Sequence, residues 1–188
     1  MALLDRGADV NAINKEQDTP LHIAIKFISS IEVIMALLDR GADINASDHE
    51  GNTPLHLACK KGNIELVNKI INKGADINAI DKNKNTPLHL ACKRWDIELV
   101  NELIKKGADV NIINDEQNTP LHIALQHNYQ EIIMPLLDKG ADVNITYFEQ
   151  DTPLHFAVKR GWTELVNKLI EKGADINASD HEGNTPLH

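Results

Sequence analysis

Histidine and aspartate supply much of biological acid–base and metal chemistry, and this chain places both at a fixed interval. His22, His56, His89, His122, His155 and His188 each close a Thr-Pro-Leu-His run, in steps of 34, 33, 33, 33 and 33 residues. Asp9, Asp43, Asp76, Asp109, Asp142 and Asp175 each follow a Gly-Ala pair at the same period. Neighbouring helical repeats pack about 8–10 Å apart. A zinc ion holds its nitrogen ligands at about 2.0–2.1 Å, so histidines arriving once per repeat cannot share one. The aspartates, once per repeat behind a helix-ending glycine, have the chemistry of a turn rather than of a paired acid and base. His49, His127 and His181 stand alone. No glycine-rich phosphate loop and no nucleophile elbow occurs. The sequence therefore assigns no catalytic residue, no metal ligand and no cofactor, and the chain does not read as an enzyme.

Cys59 and Cys92 also lie one period apart. That separation exceeds the Cα distance of up to about 7 Å that a disulfide allows. Buried, reduced thiols and a cytoplasmic location are expected. The net charge of −9 argues against a broad nucleic-acid surface, which needs clustered cations. No apolar run approaches the ~20 residues of a membrane span, and no basic start followed by an apolar stretch marks a signal peptide. Asn45, Asn144 and Asn177 match the glycosylation pattern only as by-products of the repeat.

The residues between the motifs show what must position them. In Asp48 to Ile80, Thr53 suits a helix N-cap, because its hydroxyl accepts an orphan backbone N–H. Pro54 falls at the first helical position, where its missing N–H costs nothing. Leu55, Leu57 and Ala58 give a short helix its apolar side. Gly62 ends it, and Asn63 caps the next. Leu66, Val67, Ile70 and Ile71 follow at helical spacing. Lys73 and Gly74 close that second helix, and a polar loop leads to the next Thr-Pro. A period of this length marks a stacked array whose core lies between neighbouring units.

On these residues the chain resembles the ankyrin-repeat family. Thr-Pro-Leu-His is followed by x-Ala, with Ala at 24, 58, 91, 124 and 157. Gly-Ala-Asp-(Val/Ile)-Asn begins at 7, 41, 74, 107, 140 and 173. The resemblance implies an all-α solenoid of stacked helix-turn-helix units with short β-hairpin loops, and first helices and hairpins lining a concave groove. It also implies that the motif histidines hold the hairpins by hydrogen bonds. Complete repeats fall at 14–47, 48–80, 81–113, 114–146 and 147–179, with partial repeats at 1–13 and 180–188. No polar capping repeat stands at either end, so a segment of a longer array, frayed in its partial repeats, is expected.

Several residues depart from the pattern. The first unit carries one extra residue within Phe27–Ser30, which should remodel its inter-helix turn. Trp95 and Asn128 replace glycine at the turn between helices. Asn tolerates a left-handed conformation, whereas Trp95 should force another turn. Gln17, Lys84, Gln117 and Gln150 replace the tip glycines Gly51 and Gly183, so those tips should be looser or differently turned. Pro135 falls inside a second helix and should kink it.

The function this implies is a protein–protein interaction scaffold, monomeric, with another protein as partner and neither nucleic acid nor membrane. The alternative is a spacer or targeting arm whose enzymatic domain lies outside the segment. Partner binding is expected at two cationic ladders at the first-helix ends, Lys60, Lys93 and Lys159 with Lys61, Arg94 and Arg160. Lys26, Gln126, Phe27 and His127 share those registers. Acidic tips at Glu16, Asp18, Glu50, Asp115, Glu116, Glu149 and Asp151 should face them. Tyr147 and Phe148, adjacent on one tip, are the expected anchors. Trp95, Tyr129 and Trp162 fall at inter-helix corners, covering that edge or capping the core.

Overall fold

The computed structural model describes residues 7–28, 30–146 and 150–188. The chain divides into two compact units, Met1–Ala108 and Asp109–His188. Among the described residues the regular structure is entirely helical.

Unit 1 holds three helix pairs. They are α1 (Pro20–Ile23) with α2 (Ile31–Leu38), α3 (Pro54–Lys61) with α4 (Ile64–Asn72), and α5 (Pro87–Lys93) with α6 (Ile97–Lys105). Unit 2 holds two more, α7 (Pro120–Gln126) with α8 (Gln130–Asp138) and α9 (Pro153–Lys159) with α10 (Thr163–Glu171). Each first helix packs on its own second helix, and α3 packs on α5 and α7 on α9.

A seven- or eight-residue helix is too short to persist alone in water, so each is fixed at its ends and along its apolar side. In α3 the Thr53 hydroxyl accepts the His56 N–H and Pro54 opens the helix. Leu55, Ala58 and Cys59 are fully buried, with Leu66, Val67 and Ile70 of α4 against them in the same core. Unit 2 repeats the scheme with Leu121, Ala124, Ile132, Leu136, Leu154, Ala157 and Leu169. Each buried leucine or isoleucine contributes about 1.5–3 kcal/mol relative to exposure.

The departures resolve in ways the sequence only partly anticipates. The extra residue of the first unit lies inside the helix, where Ala24–Ile28 forms a π-helical turn continuing α1. A π-turn accommodates one residue without breaking the backbone bonding, and Ser30 then caps α2. Asn128 adopts φ 62°, as its side chain allows. Trp95 does not force another turn, for its φ is 55°. Trp95 N–H donates to Cys92 O at 3.0 Å and Asp96 N–H to Ala91 O at 3.2 Å. These two bonds outweigh the cost of about 1–2 kcal/mol for a left-handed side-chain residue. The loop tips are likewise uniform: Gln17, Lys84, Gln117 and Gln150 take φ 55–62°, beside 78° and 81° at Gly51 and Gly183. Helix α8 continues through Pro135 to Asp138.

The loops carry hairpin-type bonds, such as Asp48 N–H to Asn52 O at 3.0 Å. They are too short for a strand to appear among the described residues. No helix there is long and apolar enough to cross a membrane.

Candidate functional site

Three of the motif histidines, His22, His56 and His155, are held at both ring nitrogens. His56 Nδ1 accepts the Thr53 backbone N–H at 3.2 Å. Its Nε2 lies 3.0 Å from Asn85 O of the next loop. A carbonyl can only accept, so the ring is the neutral Nε2–H tautomer. The result is a capping box in which histidine takes the place usually held by Glu or Gln. His22 reaches Asn52 O and His155 reaches Asn184 O, also at 3.0 Å. Burial lowers the pKa of His56, against the opposing pull of the Asn85 carbonyl and Asp81. Burial likewise lowers that of His122. With Nδ1 accepting and Nε2–H donating, the imidazoles of His22, His56 and His155 keep no lone pair for a metal. Among the described residues no group of three or more His, Cys, Asp or Glu side chains is placed to hold one.

The aspartates after Gly-Ala are turn residues. Each accepts the backbone N–H two residues on, at 2.9 Å in Asp9, Asp43, Asp76, Asp109, Asp142 and Asp175. The asparagine two residues later ties one repeat to the next. Asn11 accepts the Asp43 N–H and donates to Gly41 O, and Asn144 does the same with Asp175 and Gly173. Burial pushes the thiols of Cys59 and Cys92 well above their ordinary pKa, as expected of buried, unpaired cysteines.

A third recurring group is not recognised in the sequence reading. Asn14, Asp48, Asp81, Asn114 and Asp180 each accept backbone N–H groups two and four residues on, closing the loop. The available signal is an Asx residue four positions before the residue preceding Thr-Pro. Tyr147 holds that register in the remaining repeat.

The lysines of the first ladder reach back eight residues into this loop. Lys26 bridges Asp18 at 2.6 Å and Asp48 at 3.0 Å. Lys60 donates to Asn52 Oδ1 at 2.7 Å, and Lys159 pairs with Asp151 at 2.9 Å. Burial would raise the Asp48 carboxyl pKa, but Lys26 and the amides of Asn52 and Glu50 outweigh it and hold the pKa at about 2. Burial would lower the Lys26 pKa, and Asp18 and Asp48 raise it instead. Asp18 is therefore buried and engaged rather than an outward acidic tip, and Asp151 is taken up by Lys159. The clean separation of basic helix ends from acidic tips does not hold at these positions. Glu16, Glu50, Asp115 and Glu116 remain exposed at the tips.

In the second ladder, Arg94 donates to Lys60 O at 2.8 Å, across the end of α3. The Arg160 guanidinium lies 4.1 Å from the Phe156 ring centroid and 5.8 Å from that of Trp162. Lys60, Lys61, Lys93 and Arg94 are exposed together at the ends of the packed helices α3 and α5. In the other unit Lys159 and Arg160 are exposed at the end of α9. Tyr147 and Phe148 lie outside the described residues.

The inter-helix corners differ between the units. Ser30, Asn63 and Asp96 cap the second helices of unit 1, each side chain accepting an N–H of the first turn. Tyr129 and Trp162 hold that position in unit 2 and make no side-chain cap bond. Tyr129 stacks on His127 with centroids 5.2 Å apart, and Trp162 meets Phe156 edge-on at 5.7 Å.

Comparison with known proteins agrees with this geometry along the whole chain. A family model described as ankyrin repeats (3 copies) matches residues 1–81 and 60–147, and one described as ankyrin repeats (many copies) matches 136–188. Among solved structures, the ankyrin repeat domain of Bcl-3, described as a unique member of the IkappaB protein family, is similar at TM-score 0.84 and 29% identity. The match covers 99% of this chain and 83% of that one. No curated protein matches.

Proposed function

The chain belongs to the ankyrin-repeat family, with that family's all-α solenoid fold, and on that premise we propose that it is a protein–protein recognition scaffold whose partner contacts the first-helix ends. The observation that carries the reading is a division of labour. The repeated Thr, His, Asn and Asp side chains are committed to bonds within and between repeats. The exposed ends of the first helices carry cations, nearly constant at the Lys60 register and variable at the next, where Phe27, Lys61, Arg94, His127 and Arg160 stand.

In unit 1 those positions present Lys60, Lys61, Lys93 and Arg94, with Trp95 half exposed beside them. Lys60 and Arg94 are already oriented by Asn52 and the Lys60 carbonyl. Such a surface suits a protein segment with acidic side chains. Exposed charge of this kind sets orientation and association rate more than affinity, and salt should weaken it. In unit 2 Lys159 and Arg160 are the corresponding residues. Tyr147 and Phe148 are assigned as anchors on the rarity of aromatics in the chain, 4% of residues.

The test is affinity capture with two variants. Lys61→Glu with Lys93→Glu reverses charge at the proposed surface. Glu65→Lys with Lys69→Glu swaps an ion pair on α4 that spans 3.7 Å. We expect the first to lose most captured partner and the second to keep it. Normal capture by the first variant together with loss by the second moves the binding surface to the second helices.

A further inference from the structure

The uncapped corner of unit 2 opens a cleft of about 400 Å³ between the N-terminal halves of α8 and α10. Its floor is apolar, from Ile133, Met134 and Leu165, and the half-buried Trp162 forms a wall. Its rim carries Glu131 and Glu164, both exposed, and no cationic side chain lines it. Neither glutamate forms an ion pair among the described residues. Two helices start here, and each N-terminus contributes only about half a positive charge. The two carboxylates make the rim itself negative, and the nearest cation the structure gives to the Trp162 wall is the Arg160 guanidinium, 5.8 Å from its ring and outside the lining.

The sequence forgoes local stability to build this place. At the register of Trp162 the other unit has Asn63 and Asp96, both bonded caps. At the register of Met134 it has Asn68 and Asn101, and Met35 in its first repeat. The departure is the aromatic residue in place of a cap, which breaks a local rule at the wall of the cleft. Departures from local rules are expected at functional or strained positions.

We propose that this cleft is a docking site for an arginine side chain of a partner protein, distinct from the first-helix surface. The three-carbon stem lies on Ile133, Met134 and Leu165, as long cationic side chains do on apolar ground. The planar guanidinium stacks on the Trp162 indole and donates to the Glu131 and Glu164 carboxylates. Arginine suits this better than lysine, because its fork pairs with carboxylates while its plane covers a ring. The chain already shows the preference at short range, with Arg160 seated over Phe156 and beside Trp162.

The experiment is a titration of the whole chain with acetylated, amidated Gly-Arg-Gly, read from the indole N–H resonances of Trp162 and Trp95. These are the two tryptophans of the chain, so Trp95 serves as an internal control. A saturable shift at Trp162 with Trp95 unmoved is expected, with weaker binding of Gly-Lys-Gly and none of Gly-Glu-Gly. The double variant Glu131→Gln, Glu164→Gln keeps both side-chain shapes and should weaken binding about fivefold or more. The proposal is overturned if Trp162 shows no saturation by about 50 mM peptide. It is equally overturned if Trp95 shifts in parallel, if Gly-Glu-Gly or Gly-Lys-Gly binds as well as Gly-Arg-Gly, or if the double variant binds unchanged.

Discussion

Units 1 and 2 start their second helices by different chemistry. Ser30, Asn63 and Asp96 satisfy a first-turn N–H with their own side chains. In unit 2 the backbone alone closes the turn, Ile132 N–H reaching Tyr129 O at 2.9 Å and Thr163 N–H reaching Gly161 O at 3.0 Å. One turn further on, unit 1 holds Asn68, whose Oδ1 is buried without a hydrogen-bond partner among the described residues. Helix α8 has Met134 and then Pro135 there, while α10 keeps Asn167 and α2 has Met35. The same backbone is thus reached from two sequences, one that spends polar groups on the helix start and one that spends aromatic and apolar surface there. The difference teaches that the repeat motif fixes the frame, whereas the second-helix start is open to other uses.

Pro135 gives the largest expected effect. A proline inside a helix costs about 3 kcal/mol relative to alanine, yet α8 runs through it. Pro135→Ala restores the N–H that can bond to Glu131 O and should stabilise unit 2 by up to about 3 kcal/mol. Native-state hydrogen exchange of the whole chain should show slower exchange in α8 and α10. Unchanged or faster exchange there would mean that the half-buried ring contributes packing which offsets the lost bond.

The caps come next. Asn63→Ala and Asp96→Ala should each cost about 1 kcal/mol in urea denaturation, while Tyr129→Ala loses no cap bond. Equal losses at all three positions would erase the distinction between the units.

This contrast was only partly legible in the sequence. Thr53, Gly62 and Asn63 announce their roles because caps and left-handed turns are local chemistry. Trp95 was misjudged, since its strain is offset by bonds to Cys92 and Ala91 that depend on the helix already being in place. The π-turn at Ala24–Ile28 was hidden for another reason, as an inserted residue fits a helix or a loop equally well by composition. The Lys26, Lys60 and Lys159 contacts recur at a spacing of eight, a signal masked by their simpler reading as helix-end cations. The cleft beside Trp162 requires two helices from different repeats, which no single repeat displays.

The smallest effect is that of acid, and it sharpens the comparison by pH. His56 in unit 1 and His122 in unit 2 have folded pKa values below the unfolded value of about 6.5. The unfolded chain therefore takes up protons first, and both units lose stability as pH falls below that value. In unit 2 the Lys168 ammonium lowers the Asp138 carboxyl pKa, and at Asp180 burial, which would raise it, is outweighed by the bonds from Asn184. Asp48 in unit 1 has a folded pKa of about 2, beneath its ordinary value of 3.8, so its contribution is present above 3.8 and lost as pH falls from there toward 2. Urea midpoints followed by exchange in each unit should show a shared loss near pH 6 and a further loss in both units below pH 4. Stability rising between pH 6.5 and 5 would contradict the neutral tautomer of His56.

The rungs from His22, His56 and His155 to a carbonyl of the following loop also set the quantum in which such a chain can change length. His56 and Asn85, like His155 and Asn184, stand 29 residues apart, and the two rungs have the same 3.0 Å length. Removing or copying a whole period rejoins a histidine to an equivalent carbonyl, and Gly173–His188, identical in sequence to Gly41–His56, reads as such a copy. A single added residue ought to break the register. Between His22 and Asn52 the count is 30, and the rung is still 3.0 Å, because the surplus is wound into the π-turn before it reaches the next loop. Growth by repeats and error within a repeat are thereby kept apart, the first written in periods and the second absorbed in one helix.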